Sequence, residues 1–469
     1  MRLLHRLHPV AAALVVAACA GEHLQPYPPR DEPALFERRF TVAELHADIA
    51  AWFDGIAARH PDLDARLPPA AFARTKAEVV ARVTHPMTRR EFFRTVGTAT
   101  AVFRDGHSGL LYAYPESDAD RAAGGRRFPL RVRWHEGEVR VTHDASPSDP
   151  VPIDSRLLSI NGTPVERLLD SLSAYARGET MALRRSIVVD ELGEWLWQVP
   201  GWSDRFDVVF EHAGRQHQRM LRGITREEAA RSPSRDEETL PSYRRIDAGT
   251  GLLDVPYFGA DEDAFGAALD AAHDSAVVHA PRVLVVDLRR NPGGSTDQVE
   301  TLLARLTARP CPLAAQVLER RNAANLRWWE RSSRVGAVVE DDQVPVVQPA
   351  GATRRFPGDV RVLISPYTYS AAIVMATAVQ DCNVGVLIGE ETGGFANQTA
   401  QIHFFDLPNT RLRAFAPTRL VLRPSGVRDV RPVVPTHVVS TSAGVMSMAQ
   451  DAALLFAAQP TLPTGTAPR

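Results

Sequence analysis

The chain has 469 residues, enough for two to four domains. Apolar residues make up 44% and charged residues 23%, as in folded water-soluble proteins, and the net charge of −2 comes without a basic stripe, which argues against nucleic acid as a partner. Of the 54 basic residues only Lys76 is a lysine, so a mechanism that needs a lysine base or Schiff base has one candidate position.

From the N-terminus, residues 1–18 read as a secretory signal. Arg2 and Arg6 supply the positive region, and Val10 to Ala18 is an apolar run about half as long as a membrane span. No other segment is apolar enough to enter a membrane. Val16-Ala17-Ala18-Cys19 resembles the bacterial lipobox, in which the cysteine after a small-residue cleavage site is lipidated. The expectation is a chain anchored through Cys19, facing the periplasm, with residues 19–40 as a tether. Ala20 carries no acidic retention signal, which favours the outer membrane. Cys311 and Cys382, 71 positions apart, either pair or remain free thiols, and no Cys/His cluster points to a metal.

Residues 41–115 read as helical. Leu45, Ile49, Trp52, Phe53 and Ile56 recur at helical spacing after Thr41, and Thr88 with Glu91 forms a capping-box pattern. Residues 126–223 alternate as strands do, and Arg156 to Val165 is a short apolar strand, an Asn161-Gly162 turn and the start of a helix. That piece resembles the core of a PDZ domain. Residues 224–245 are polar and read as a linker. Residues 246–458 alternate strand and helix, with Val283 to Leu288 and Val360 to Ile364 apolar enough to be buried on both faces. Residues 459–469 read as a flexible tail.

Three places carry candidate chemistry. Ser370 follows a strand and a short turn and opens a helix, where free N–H groups and the helix dipole favour a developing anion. Taken alone, a serine there is most often an N-cap. Asn291-Pro292-Gly293-Gly294 ends a buried strand, and its glycines allow close approach of backbone to a ligand. His107 lies in the glycine-flanked segment Asp105-Gly106-His107-Ser108.

Together these segments resemble the carboxyl-terminal processing, or tail-specific, serine protease family, in its tricorn-core-like branch. The resemblance rests on Asp287 to Gly294, Thr368 to Ala372, Gly389-Glu390-Glu391-Thr392-Gly393-Gly394 and Asp105 to Ser108, in order, across residues 41–455. It implies an α/β multidomain fold with an N-terminal helical region, a PDZ-like domain and an α/β (ClpP/crotonase-like) catalytic core. It implies an endopeptidase acting on proteins or peptides without a cofactor. Ser370 is then the nucleophile, and the N–H groups of Ala371 and of Gly293 or Gly294 form the oxyanion hole. The Ser-Lys dyad of the better-known branch is absent, because position 395 is Phe395. His107 matches the base of the other branch. Its orienting acid is expected at Asp429, with Asp105 and Glu390 as alternatives. The PDZ-like part implies capture of a substrate C-terminus, with residues 151–156 as the expected carboxylate loop. A non-catalytic binding protein of the same fold is the competing expectation, motivated by the missing lysine and by Pro432 and Thr436 in a segment where the family carries Gly and Asp.

Overall fold

The structure, a computed structural model, describes residues 33–135, 137–146, 150–232, 239–326, 334–341, 344–440 and 451–463. The signal segment, Cys19, most of the tether and the last six residues lie outside the described residues. No helix among the described residues is long and apolar enough to cross a membrane.

The helical region forms as the spacing predicts. Helix Val42–Arg59 buries Leu45, Ile49, Trp52, Phe53 and Ile56 on one face. Capping boxes at Thr41/Glu44 and Thr88/Glu91 start this helix and helix Arg89–Val96. Trp52, Phe53, Phe72 and Phe103 pack as an aromatic cluster, largely edge to face.

An antiparallel sheet follows. Its strands run in the order Leu130–His135, Glu138–Asp144, Arg156–Ile160, Arg205–His212, Arg215–Arg222. Asn161 and Gly162, both at positive φ, make the turn into helix Val165–Ser173. One continuous apolar cluster runs from the N-terminal helices into this sheet and takes in Leu407 and Leu412 from much later in the chain.

The stretch expected as a linker is partly regular. Thr225 and Glu228 form a capping box on a short helix, Arg226–Ala230. Strand Ser242–Arg245 then joins the edge of a second sheet. That sheet orders His437–Val438, Val386–Gly389, Asp359–Ile364, Val283–Asp287, Thr250–Asp254 and Ser242–Arg245, all parallel except the last. Helices Glu262–His279, Thr296–Leu306 and Ala371–Asp381 cover one face and Ala452–Ala457 the other, so the central strands are buried on both sides. A third sheet pairs strand Arg413–Leu422 with Gly109–Leu110, Gln316–Arg320 and Gln398–Asp406. It brings the segment after the N-terminal helices beside the parallel sheet. Cys311 and Cys382 form a disulfide, closing the alternative that the sequence left open.

Candidate active site

The carboxyl ends of two adjacent parallel strands build the floor of the site, the usual ligand position in an open α/β sheet. After Asp359–Ile364 the chain turns through residues 365–370 into helix Ala371–Asp381. This turn is laced to the loop after Val283–Asp287. Thr368 Oγ1 donates to Leu288 O at 2.8 Å, Ser365 Oγ to Arg289 O at 2.7 Å, and Tyr369 N–H to Asn291 O at 3.0 Å. Ser370 has φ 53° and ψ −121°, and its side chain makes no capping bond. The hydroxyl is therefore not spent on the helix, unlike that of an ordinary N-cap serine.

The glycine loop is held from within. Asn291 Nδ2 donates to Val255 O at 2.9 Å, and its Oδ1 accepts the Gly293 N–H at 2.8 Å. Gly293 sits at φ 107°, and a Cβ there would come within 2.6 Å of Ser370 Cβ. Of the two glycines, Gly293 thus has its N–H consumed by Asn291. Among the described residues, the N–H groups of Gly294 and Ala371 meet no acceptor. Asp287 and Arg289 of the same motif are structural. The buried Arg289 guanidinium is shared between Asp287 and Asp451, with contacts of 2.6 to 2.9 Å, and so ties the loop to the chain's last described segment.

His107 completes the cluster. Its ring is buried, with Nε2 3.1 Å from Ser370 Oγ. Nδ1 lies 3.2 Å from Thr399 Oγ1 and 3.0 Å from Tyr369 Oη, and the Tyr369 ring stacks on the imidazole. Both hydroxyls point their protons elsewhere: Thr399 donates to Asp105 Oδ1 at 2.6 Å and Tyr369 to Glu179 Oε1 at 3.2 Å. The Asp105 carboxylate is ionised and only accepts, so the Thr399 hydroxyl turns a lone pair toward Nδ1. That places the imidazole proton on Nδ1 and leaves the Nε2 lone pair facing the serine.

Asp105 is fully buried, and burial alone would raise its pKa. The hydrogen bond from His60, aided by the Arg66 guanidinium, outweighs burial and holds it well below the usual carboxylate range. Ser108 Oγ at 2.7 Å and the His107 N–H at 3.0 Å are further donors to it. His60 Nδ1 accepts from Asp62 N–H, which leaves Nε2–H to donate to Asp105. Burial pushes the His107 imidazole down to about 4, opposed by Asp105 and reinforced by Arg177, Arg66 and His60. The ring is neutral at pH 7 and able to accept a proton.

The structure does not bring Asp429 to this ring. Asn397 Nδ2 holds Asp429 instead, through its carbonyl at 2.9 Å and its carboxylate at 3.4 Å, in an irregular segment where Asp429 is half-buried. Glu390 is not among the ring's partners either, and Asp105 reaches the ring through Thr399. Lys76 pairs with Asp54 at 2.6 Å on the N-terminal helices. The Gly389–Gly394 motif is a buttress: Thr180 Oγ1 donates to Gly393 O, and a Cβ on Gly394 would strike the Tyr369 ring. Sequence reasoning missed Thr399, His60, Glu179 and Tyr369. Only Tyr369 carried a signal, its adjacency to Ser370. The others are joined to the site by folding across long stretches of chain.

A cleft of 760 Å³ opens over Ser370. His107 and Gly294 line it together with the apolar Leu313, Ala314, Val374 and Val421. On the antiparallel sheet, a smaller cleft of 210 Å³ lies between residues 128–131 and 189–194. Residues 151–156, the expected carboxylate loop, do not line it.

Residues 249–430 match the family described as peptidase family S41. Among solved structures, a mutant of CPAF superposes with a TM-score of 0.66 at 12% identity, over 86% of this chain and 94% of that one. Mature CPAF complexed with lactacystin gives 0.63 at 14% identity, over 86% and 94%. At these identities the likeness is one of fold, a mixed α/β multidomain architecture. No curated protein matches the chain.

Proposed function

The chain belongs to peptidase family S41 and is a serine-type peptidase, and from that premise we propose that Ser370, His107 and the N–H groups of Ala371 and Gly294 cut peptide bonds. The observation that carries this reading is the 3.1 Å approach of His107 Nε2 to a Ser370 hydroxyl that caps nothing. As Oγ attacks the scissile carbonyl carbon, Nε2 takes the hydroxyl proton. The carbonyl oxygen becomes an oxyanion facing the Ala371 and Gly294 N–H groups, at the positive end of helix Ala371–Asp381. The imidazolium then protonates the leaving amine, and an acyl ester remains on Ser370. Water, deprotonated by His107, attacks the ester and releases the new carboxylate and the serine. The ionised Asp105, acting through the Thr399 hydroxyl, orients the ring and stabilises its charged form.

A fluorophosphonate probe is expected to label the purified protein at Ser370, with labelling and peptide hydrolysis both lost in Ser370→Ala. Undiminished hydrolysis by that variant would sink the assignment.

Substrates are proteins or peptides, and we propose that they are recognised by their C-termini. The apolar wall of the cleft suits an apolar side chain beside the cut bond. The protein acts on the periplasmic side, held to the outer membrane by a lipid on Cys19. Metabolic labelling with an alkyne fatty acid in a bacterial host is expected to tag the chain and to fail for Cys19→Ser. Equal tagging of the two would refute the anchor.

A further inference from the structure

A second cavity, of 670 Å³, shares Glu179 with the surroundings of the His107 ring. Arg66, Arg104 and Arg184 line it with Glu179, and Leu67, Pro68, Val102, Met181 and Phe395 form its apolar rim. The charges do not balance within the wall. Arg66 reaches Glu179 only at 4.0 Å, with both side chains almost completely buried. Arg184 donates to Gly178 O at 3.0 Å, but its Nε, like that of Arg66, is buried without a hydrogen-bond partner. Burial and the neighbouring Arg104 guanidinium both lower the Arg184 pKa, while Glu179 opposes them. Three guanidinium groups and one carboxylate around one space make a wall of net positive charge, complementary to an anion.

The cleft on the antiparallel sheet is mixed in charge: Arg121, Arg127, Arg131 and His143 line it together with Asp190, Glu191 and Glu194. Arg121 and Arg127 are both paired with Glu194 of the same wall, so two of its three arginines are spent on its own acids.

We propose that the cavity of Arg66, Arg104 and Arg184 is the seat of a peptide's C-terminal carboxylate, with the last, apolar side chain against Leu67, Met181 and Phe395. The choice of a peptide rests on the peptidase reading above, since every cleavage releases a new C-terminal carboxylate. The combination of a cationic wall and an apolar rim matches a carboxylate borne on an apolar residue. It does not match a bare inorganic ion, which would leave the rim unused. Glu179 belongs both to this cavity and, through Tyr369, to the surroundings of His107 Nδ1, so an occupant lies against the active site.

The test is calorimetric, on the Ser370→Ala protein so that the ligand survives. A short peptide ending in leucine is titrated as the free acid, as the C-terminal amide, and in competition with inorganic phosphate. The free acid is expected to bind at least tenfold more tightly than the amide, and Arg104→Ala/Arg184→Ala to remove that difference. Met181→Asp, a change at an exposed rim position, is expected to weaken the acid without unfolding the protein, which guards against a misfolded double variant. Equal binding of acid and amide, an acid–amide difference that survives the double variant, or phosphate binding with no peptide preference overturns the proposal. Hydrolysis of an amidated fluorogenic peptide by the wild-type protein is measured alongside. That assay tests the peptidase route independently of the cavity.

Discussion

His107→Gln is expected to lower kcat/KM by about 10⁴-fold or more, because among the described residues no other side chain hydrogen-bonds the Ser370 hydroxyl. The same residue sets the acid limb of the pH profile. The base works only when neutral, so activity falls as pH drops through the imidazole pKa. Burial displaces that pKa from its ordinary value of 6.5 to about 4. In the free enzyme kcat/KM is therefore expected to hold from neutrality down to about pH 5 and to decline near 4, when corrected for unfolding at each pH. A decline centred on 6.5 would mean that the ring is solvated during the reaction and that the buried arrangement is not the working one.

Asp105→Asn is expected to lower kcat by about 10³- to 10⁴-fold with a smaller change in KM. An amide brings no charge to stabilise the imidazolium. Its NH₂ group can also reverse the Thr399 hydrogen bond, so that the threonine proton faces Nδ1 and favours the wrong tautomer. Thr399→Val should show the same loss, and Thr399→Ser should restore most of it, since the serine keeps the hydroxyl. Asp429→Asn should leave kcat within about twofold. A Thr399→Val enzyme with wild-type kcat would remove the hydroxyl relay, and a large loss on Asp429→Asn would return the orienting role to that residue.

These expectations also mark how far the sequence could be read. Ser370, His107 and the glycine pair were legible because each sits in a short run whose local structure is dictated nearby: a strand end, a turn, a helix start. The capping boxes at Thr41 and Thr88 and the doubly buried strand Val283–Asp287 were legible for the same reason. The orienting acid was not. Asp105 reaches the ring through Thr399, which lies on a strand placed only when Gln398–Asp406 pairs with Arg413–Leu422. Asp429 was the acid nearest the expected segment in sequence, but its partner is Asn397, not His107. The arginine cavity was invisible too, because Arg66, Arg104 and Arg184 come from three separate segments. In a chain with almost no lysine, one more arginine carries no signal.

The backbone of Ser370 bears on the competing idea of a binding protein without catalysis. Its φ of 53° with ψ of −121° lies where side chains other than hydrogen are disfavoured, at a cost of order 1–3 kcal/mol. Glycine at position 370 would relieve that cost and leave the packed turn intact. Folding alone therefore gives no reason to keep a serine there, and a chain selected only to bind would drift toward the more stable residue. The fold thus carries a standing thermodynamic handicap at the very position of the hydroxyl that faces His107.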